Sequence, residues 1–149
     1  MDFKVDREEP VFSISTAAKL LGISIPTLRM YEKEGLILPF KKESHQRLYS
    51  EADLERIRCI REAINQKKIS INGIKAIYSL IPCWEVVHCS EEDRKICGAF
   101  NGDEEPCWTY NHPNTVCENI ECRDCIVYKN YSKCGTIKDL LKNITGKEI

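Results

Sequence analysis

Apolar positions in the first 82 residues recur at helical spacing, and after Cys83 they lose any steady period. Ala17, Ala18, Leu20 and Leu21 supply one apolar face, which predicts a helix over about residues 15–21. Ser15 is the expected N-cap, its hydroxyl accepting from an otherwise unpaired backbone N–H. Gly22 is the expected stop, because glycine tolerates the left-handed conformation of a helix end. A second helix is predicted to open at Ser24, with Pro26 in its first turn, to run through Thr27-Leu28-Arg29-Met30-Tyr31-Glu32-Lys33-Glu34 and to close at Gly35. Helix, tight turn and helix is the layout whose second helix enters a DNA major groove.

The pattern then changes period. Phe12 and Ile14 alternate with serines, a short extended entry. Leu36-Ile37-Leu38-Pro39, a polar tip Lys41-Lys42-Glu43-Ser44-His45-Gln46, and Arg47-Leu48-Tyr49 predict a hairpin, or wing. Arg47 and Tyr49 are expected to point outward from it, with Leu48 inward. Ser50-Glu51-Ala52-Asp53 outlines a capping box with Asp in place of Glu. It opens a helix with Leu54, Ile57, Ile60 and Ile64 on one stripe. Ser70 is expected to cap another helix, with Ile71, Ile74, Ile77, Tyr78 and Ile81 as core and Pro82 as terminator. Cys59, beside the first stripe, is expected to be a small buried hydrophobe. These elements predict a mainly α fold: a winged helix-turn-helix domain followed by a small cysteine-rich, metal-stapled domain.

Charge and cysteine sharpen the division. The chain carries 22 basic and 23 acidic residues, a net charge of −1, and it is 42% apolar. That near-neutral total hides two halves: residues 1–82 hold 14 basic against 11 acidic residues, and residues 83–149 hold 8 against 12. A basic front half fits nucleic-acid contact. No apolar run is long enough for a spanning helix, and Met1-Asp2-Phe3-Lys4 lacks the layout of a secretion signal. Eight of the nine cysteines lie at Cys83 or later. The expected division is a flexible lead at 1–10, a DNA-binding domain at 11–82, a cysteine-rich metal-binding or sensor domain at 83–134 and an amphipathic helix at 135–149. That last segment has Thr136 as cap and Ile137, Leu140, Leu141 and Ile144 on one face.

Residues 12–81 resemble the winged-helix DNA-binding domain of MerR-type transcription regulators. The resemblance rests on Phe12-Ser13-Ile14, Ala17 to Ser24, Thr27 to Ile37, Arg47-Leu48-Tyr49 and Ile69 to Lys75. It implies that the second helix reads the major groove and the wing grips flanking backbone of double-stranded DNA. Thr27 and Tyr31 carry hydroxyls that can meet phosphates. Arg29 has the fork for a guanine edge or a phosphate. Lys33, Lys41 and Lys42 add salt-sensitive attraction. Arg47 and Tyr49 match the family's wing contacts. In that family a glycine usually stands two residues before the wing arginine; here it is His45, which predicts a different turn geometry. The resemblance also implies a homodimer on a two-fold operator, with RNA polymerase as a further partner, a cytoplasmic location and no membrane. The long family helix that pairs two copies is absent, because the cysteine segment begins directly after Pro82.

Cys83-Trp84-Glu85, Cys89, Cys97-Gly98-Ala99-Phe100, Cys107-Trp108, Cys117 and Cys122-x2-Cys125-Ile126-Val127-Tyr128 resemble a small domain with two Cys-Trp pairs; Cys134 lies outside that match. With so little apolar periodicity, this segment needs a cross-link in order to fold. A DNA-binding front half disfavours disulfides. Zinc commonly uses two short Cys pairs, and only Cys122 and Cys125 form one here. An iron–sulfur cluster takes four thiolates at irregular spacing, and some MerR-type sensors use one. The expected cofactor is therefore a metal centre on thiolates, iron–sulfur or zinc, with Cys83, Cys89, Cys97, Cys107, Cys117, Cys122 and Cys125 as candidate ligands. Trp84 and Trp108 are expected to shield the centre, and His88 and His112 are lesser candidates. No catalytic constellation stands out, so no enzyme is expected. The leading expectation is a DNA-binding transcription regulator whose metal centre senses redox state, a gas or metal supply. The alternative is a DNA-binding protein with a structural, zinc-stapled interaction platform.

Overall fold

The computed structural model describes residues 6–131 together with residues 138 and 142. The amphipathic helix expected at 135–149 falls outside the described residues, apart from those two. The described residues are mainly helical, and no helix among them is long and apolar enough to cross a membrane.

The front half follows the expected order, with shifts at its ends. Strand β1 is Phe12–Ser13, and helix α1 is Ile14–Leu21. Its N-cap is Ser13 rather than Ser15: the Ser13 hydroxyl accepts from the Thr16 N–H at 3.2 Å. Gly22 closes the helix at φ 67°. Helix α2, Ile25–Lys33, is capped by Ser24, and Gly35 turns the chain at φ 76°. Strands β2 (Phe40–Lys41) and β3 (Arg47–Tyr49) form the wing. All three strands make one antiparallel sheet in the order β1-β3-β2, with Leu48 opposite both Ser13 and Phe40.

Helix α3 is Glu51–Asn65, and both halves of its capping box are made: Asp53 N–H to Ser50 Oγ at 3.1 Å and Ser50 N–H to Asp53 Oδ2 at 2.8 Å. Helix α4, Ile71–Ser79, is capped by Ser70. It ends three residues before Pro82, which instead precedes helix α5, Cys83–Val86. Residues 6–10 lie against α3, where the Ala52 N–H donates to the Arg7 carbonyl at 3.0 Å and Arg7 pairs with Glu55.

The cysteine half is built of short pieces: α6 (Glu91–Ile96), α7 (Gly98–Asn101), single 3-10 turns at Cys107–Thr109 and Cys122–Asp124, and α8 from Ile126 to Tyr131. It does not bury a core of its own. Trp108, Val127 and Tyr128 join Leu28, Tyr31, Leu36, Ile57, Ile60 and Tyr78 in one continuous apolar cluster. Trp108 stacks between Tyr78 and Tyr128, with centroids 5.3 and 5.2 Å away. Such tilted and edge-on aromatic contacts add to plain area burial.

Three core expectations change. Leu20 is 53% exposed and Ile77 41%, so each lies on the outer side of its helix. Cys59 is half-buried and disulfide-bonded rather than a fully buried free thiol.

Candidate nucleic-acid interface and thiol cavity

The first site is the outer face of α2 and the wing. Ser24 fixes the start of α2, accepting from the Thr27 N–H at 3.2 Å and sharing a hydroxyl contact with Thr27 Oγ1 at 2.8 Å. Thr27 is therefore half-exposed at a helix N-terminus, where free N–H groups favour an anion. Arg29 and Lys33 are both exposed, and their spacing of four residues puts them on one face. Lys41 and Lys42 are exposed on the wing.

Glu32, which the sequence did not single out, joins the two elements. Its carboxylate accepts from Arg47 Nε and from Arg47 Nη2, the latter at 3.0 Å, and it pairs with Lys41 at 3.4 Å. Burial alone would raise its pKa, but Arg47 and Lys41 more than offset this and hold it below its ordinary value. Arg47 is thus half-exposed and clamped to α2.

The two tyrosines are corrections to the expected outward face. Tyr31 is 1% exposed, inside the core, and its hydroxyl accepts from Arg61 at 3.3 Å. Tyr49 is fully buried, while Arg47 and Leu48 are both half-exposed, so the expected out-in-out alternation does not hold in β3. Its hydroxyl has no partner among the described residues, and burial pushes its pKa up to about 12. A side chain with no accessible surface has nothing to offer a phosphate. The wing turn is built around His45. His45 takes φ 67°, the left-handed region that glycine favours, and its N–H donates to the Lys42 carbonyl at 2.8 Å. The turn keeps the backbone a glycine would give, at the strain a histidine carries there.

The second site is a partly open cavity of about 40 Å³ in the cysteine half. Cys83, Cys89, Cys97, Cys107, Cys117, Cys122 and Cys125 all line it, and all seven are free, half-buried thiols. The gathering is local in origin. Cys83 opens α5, Cys97 joins α6 to α7, Cys107 and Cys122 each open a 3-10 turn, and Cys125 follows the second turn.

Within the cavity the Cys107 thiol hydrogen-bonds Cys83. That bond lowers the Cys83 pKa and raises that of Cys107, which burial and the nearby Cys83, Cys125 and Cys122 sulfurs raise further. Burial, with neighbouring sulfurs, pushes Cys117 up to about 12. His112 enters the cavity, with Nδ1 3.7 Å from Cys97 Sγ and Nε2 3.1 Å from the Cys107 carbonyl oxygen. His88 is exposed and outside the lining. Trp108 lines the cavity as expected, whereas Trp84 packs edge-on against Phe100 at 5.0 Å and stands outside it. Among the described residues, no three of His, Cys, Asp and Glu gather tightly enough to hold a single ion.

Polar bonds tie the cavity wall to the first site. Trp108 Nε1 donates to the Gly35 carbonyl at 2.6 Å. The Leu38 N–H donates to the Tyr128 hydroxyl at 2.8 Å, and Arg123 donates to the Leu38 carbonyl. Arg123 also grips Asp53 with two bonds of 3.0 and 2.7 Å. Arg56, 1% exposed, bonds Asp53 at 3.2 Å and the Tyr128 and Lys129 carbonyls at 3.3 and 3.1 Å.

Comparison with known proteins agrees with the front half. Residues 12–80 match the MerR HTH family of regulatory proteins and form a domain of that family. The chain is 35% identical over 78 residues to the heat shock protein HspR of Streptomyces coelicolor, covering 52% of each. It is 31% identical over 80 residues to a mercuric resistance operon regulatory protein of Pseudomonas fluorescens, covering 53% of each. It is 40% identical over 68 residues to an HTH-type transcriptional regulator, a ZntR homolog, of Haemophilus influenzae, covering 45% of this chain and 50% of that one. The chain spans about half the length of the curated relatives it matches.

Proposed function

We propose that the protein is a DNA-binding transcription regulator that reads its operator with α2 and the wing and holds an iron–sulfur cluster in the thiol cavity as its sensor. The observation that carries this reading is that seven free thiols line one cavity whose wall is bonded to the segment between α2 and the wing. Exposed Arg29 and Lys33 on α2, and Lys41 and Lys42 on the wing, supply the cationic face that duplex DNA requires. Relatives named as regulators of transcription and of mercuric resistance support the same class.

The donor set suits a cluster. Thiolate is the ligand that iron–sulfur centres take, and four are needed. Zinc commonly takes two short cysteine pairs, and only Cys122 and Cys125 form one here. A polynuclear core spaces its thiolates farther apart, and seven free thiols line this one cavity. When bound, such a cluster supplies one-electron redox chemistry and sensitivity to oxidants and gases. The chain's own part is to present thiolates, to exclude bulk water with Trp108, Val127 and Tyr128, and to tie the cavity wall to the DNA-reading elements. Two copies on a two-fold operator would pair through surfaces other than the family's long helix.

The test is anaerobic purification with iron, sulfide and zinc analysis, an absorption spectrum and a gel shift on the upstream region of the protein's own operon. Brown protein that shifts this DNA specifically at moderate salt is the expected result. Colourless protein with stoichiometric zinc would overturn the cluster in favour of a structural platform. No specific shift would overturn the regulator itself.

A further inference from the structure

The seven thiols lie in two layers. Cys83, Cys107, Cys122 and Cys125 pack against the apolar core that both halves share; Cys89, Cys97 and Cys117 do not. The inner four meet at Cys107, and of them Cys83 and Cys125 also lie near Cys117. Cys107 hydrogen-bonds Cys83 and has the Cys122 and Cys125 sulfurs nearby, and Cys122 and Cys125 flank a single 3-10 turn. Each inner cysteine begins or ends a short helical piece, so its backbone is held by local hydrogen bonds. Of the outer three, Cys89 and Cys117 lie in connections, while Cys97 caps both α6 and α7 with its thiol turned toward His112 at 3.7 Å.

The inner four have a second property. Sequence neighbours of three of them, Cys107, Cys122 and Cys125, make the bonds to the α2–wing link. Trp108 follows Cys107 and donates to the Gly35 carbonyl. Arg123 follows Cys122 and donates to the Leu38 carbonyl, while Tyr128, three residues after Cys125, accepts from the Leu38 N–H. The link is therefore held at both ends by ligand-bearing turns. Gly35 could not carry a side chain there, because a Cβ would lie 2.5 Å from Thr109 Cγ2.

We infer that Cys83, Cys107, Cys122 and Cys125 are the four ligands of the cluster, that Cys89, Cys97 and Cys117 are not, and that ligation acts on DNA binding through the Gly35–Leu38 link. This rests on the reading that the cavity holds a cluster. With all four sulfurs engaged, the Cys107–Thr109 and Cys122–Asp124 turns are pinned, and with them the link that sets α2 against the wing. With the sulfurs released, those turns lose one anchor each. Trp108 is then a positioning residue: it touches neither DNA nor metal, and it passes the state of the cavity to Gly35.

The experiment uses the full chain, purified without oxygen. Iron per chain and visible absorption are measured for wild type, for the single inner variants Cys83→Ser, Cys107→Ser, Cys122→Ser and Cys125→Ser, and for the triple variant Cys89→Ser/Cys97→Ser/Cys117→Ser. The triple variant is expected to keep the iron content and spectrum of wild type. Each inner variant is expected to fall to about a tenth or less, as loss of one of four thiolate ligands implies. A triple variant that loses its iron, or an inner variant that keeps it with an unchanged spectrum, would overturn the assignment. The triple variant decides the matter even if an inner variant fails to fold. Trp108→Phe keeps an aromatic ring and removes the N–H together with part of the indole, so its unfolding midpoint is measured beside that of wild type. It is expected to load iron normally while the ratio of operator affinities between the loaded and the oxidised, iron-free protein shrinks towards one. An unchanged ratio would overturn the coupling. Wild-type protein that binds no iron would instead overturn the cluster reading, a result distinct from wild type that loads and a triple variant that does not.

Discussion

Arg123→Ala is the perturbation that most directly weighs the union of the two halves. Arg123 makes two bonds to Asp53, at 3.0 and 2.7 Å, and one to the Leu38 carbonyl. The Asp53 side chain is 3% exposed and that of Arg123 16%, so the pair sits largely out of water. Breaking a fully buried pair by removing one partner costs about 3–5 kcal/mol. Here Asp53 keeps Arg56 at 3.2 Å and the Ser50 N–H at 2.8 Å, so its charge is not orphaned. The expected loss is therefore nearer the worth of charged hydrogen bonds, about 2–3 kcal/mol. For a chain of this length that lowers the melting temperature by roughly 4–12 °C. The assay is urea and thermal unfolding followed by both far-UV circular dichroism and tryptophan fluorescence, which must trace one transition for the free energies to be comparable. Asp53→Asn and the double variant complete a cycle, with an expected coupling of at least about 1 kcal/mol. Additive single effects, or an Arg123→Ala protein within about 0.5 kcal/mol of wild type, would refute the argument that this ion pair holds the halves together.

Arg29→Ala should weaken operator binding by about 1–3 kcal/mol, roughly 5- to 150-fold in a gel shift, while unfolding stays within about 0.5 kcal/mol of wild type. An unchanged affinity would remove Arg29 from the interface. Glu32→Gln should destabilise by about 1 kcal/mol at neutral pH, a modest figure because Arg47 and Lys41 are partly solvated. The Glu32 carboxyl is held below 4.5 in the folded chain, so its contribution is present above that value and is lost as pH falls through the depressed one. Wild type and variant should therefore converge on acidification below about pH 4.5, and melts that stay a fixed distance apart would contradict this. Tyr49→Phe removes a buried hydroxyl with no partner among the described residues, so stability should hold or rise by up to about 1 kcal/mol, with operator affinity unchanged. A tenfold loss of affinity would return Tyr49 to the DNA face.

What was legible in the sequence was what is local. The Ser50–Asp53 capping box and the caps at Ser24 and Ser70 need only three-residue spacing, and each formed as read. Ser13 replaced Ser15 because Ser13 pairs with Leu48 in the sheet, which places the first helical residue at Ile14. That pairing spans 35 residues, and no local pattern reports it. Tyr49 turned inward for a related reason: in a three-residue strand, alternation gives two faces but not which one is covered, and one slip exchanges them. At His45 the absence of glycine suggested another turn, yet the bonds from His45 and Lys42 N–H to the Lys42 and Gln46 carbonyls hold the left-handed conformation regardless. The seven cysteines were legible as a set. Their two layers were not, because the layers are defined by contact with a core made largely of the other half.

The break in composition at Pro82 divides the chain by amino-acid usage and not by packing. A domain with its own core can be cut away; here Trp108, Val127 and Tyr128 complete a cluster that Leu28, Tyr31 and Ile57 began. Asp53 shows the consequence in one side chain. To the residues around it, Asp53 is the partner of Ser50 in the capping box that starts α3. To the cysteine half, it is the carboxylate that receives Arg123, one of the two residues between Cys122 and Cys125. A buried carboxylate must find cations wherever they are, because leaving its charge unpaired costs more than ordering a distant arginine. The cap therefore binds the halves, and any movement of the Cys122–Cys125 turn reaches the start of α3 and the Leu38 carbonyl through the same guanidinium. That guanidinium and the Trp108–Gly35 bond join the thiol-bearing turns directly to the segment between α2 and the wing.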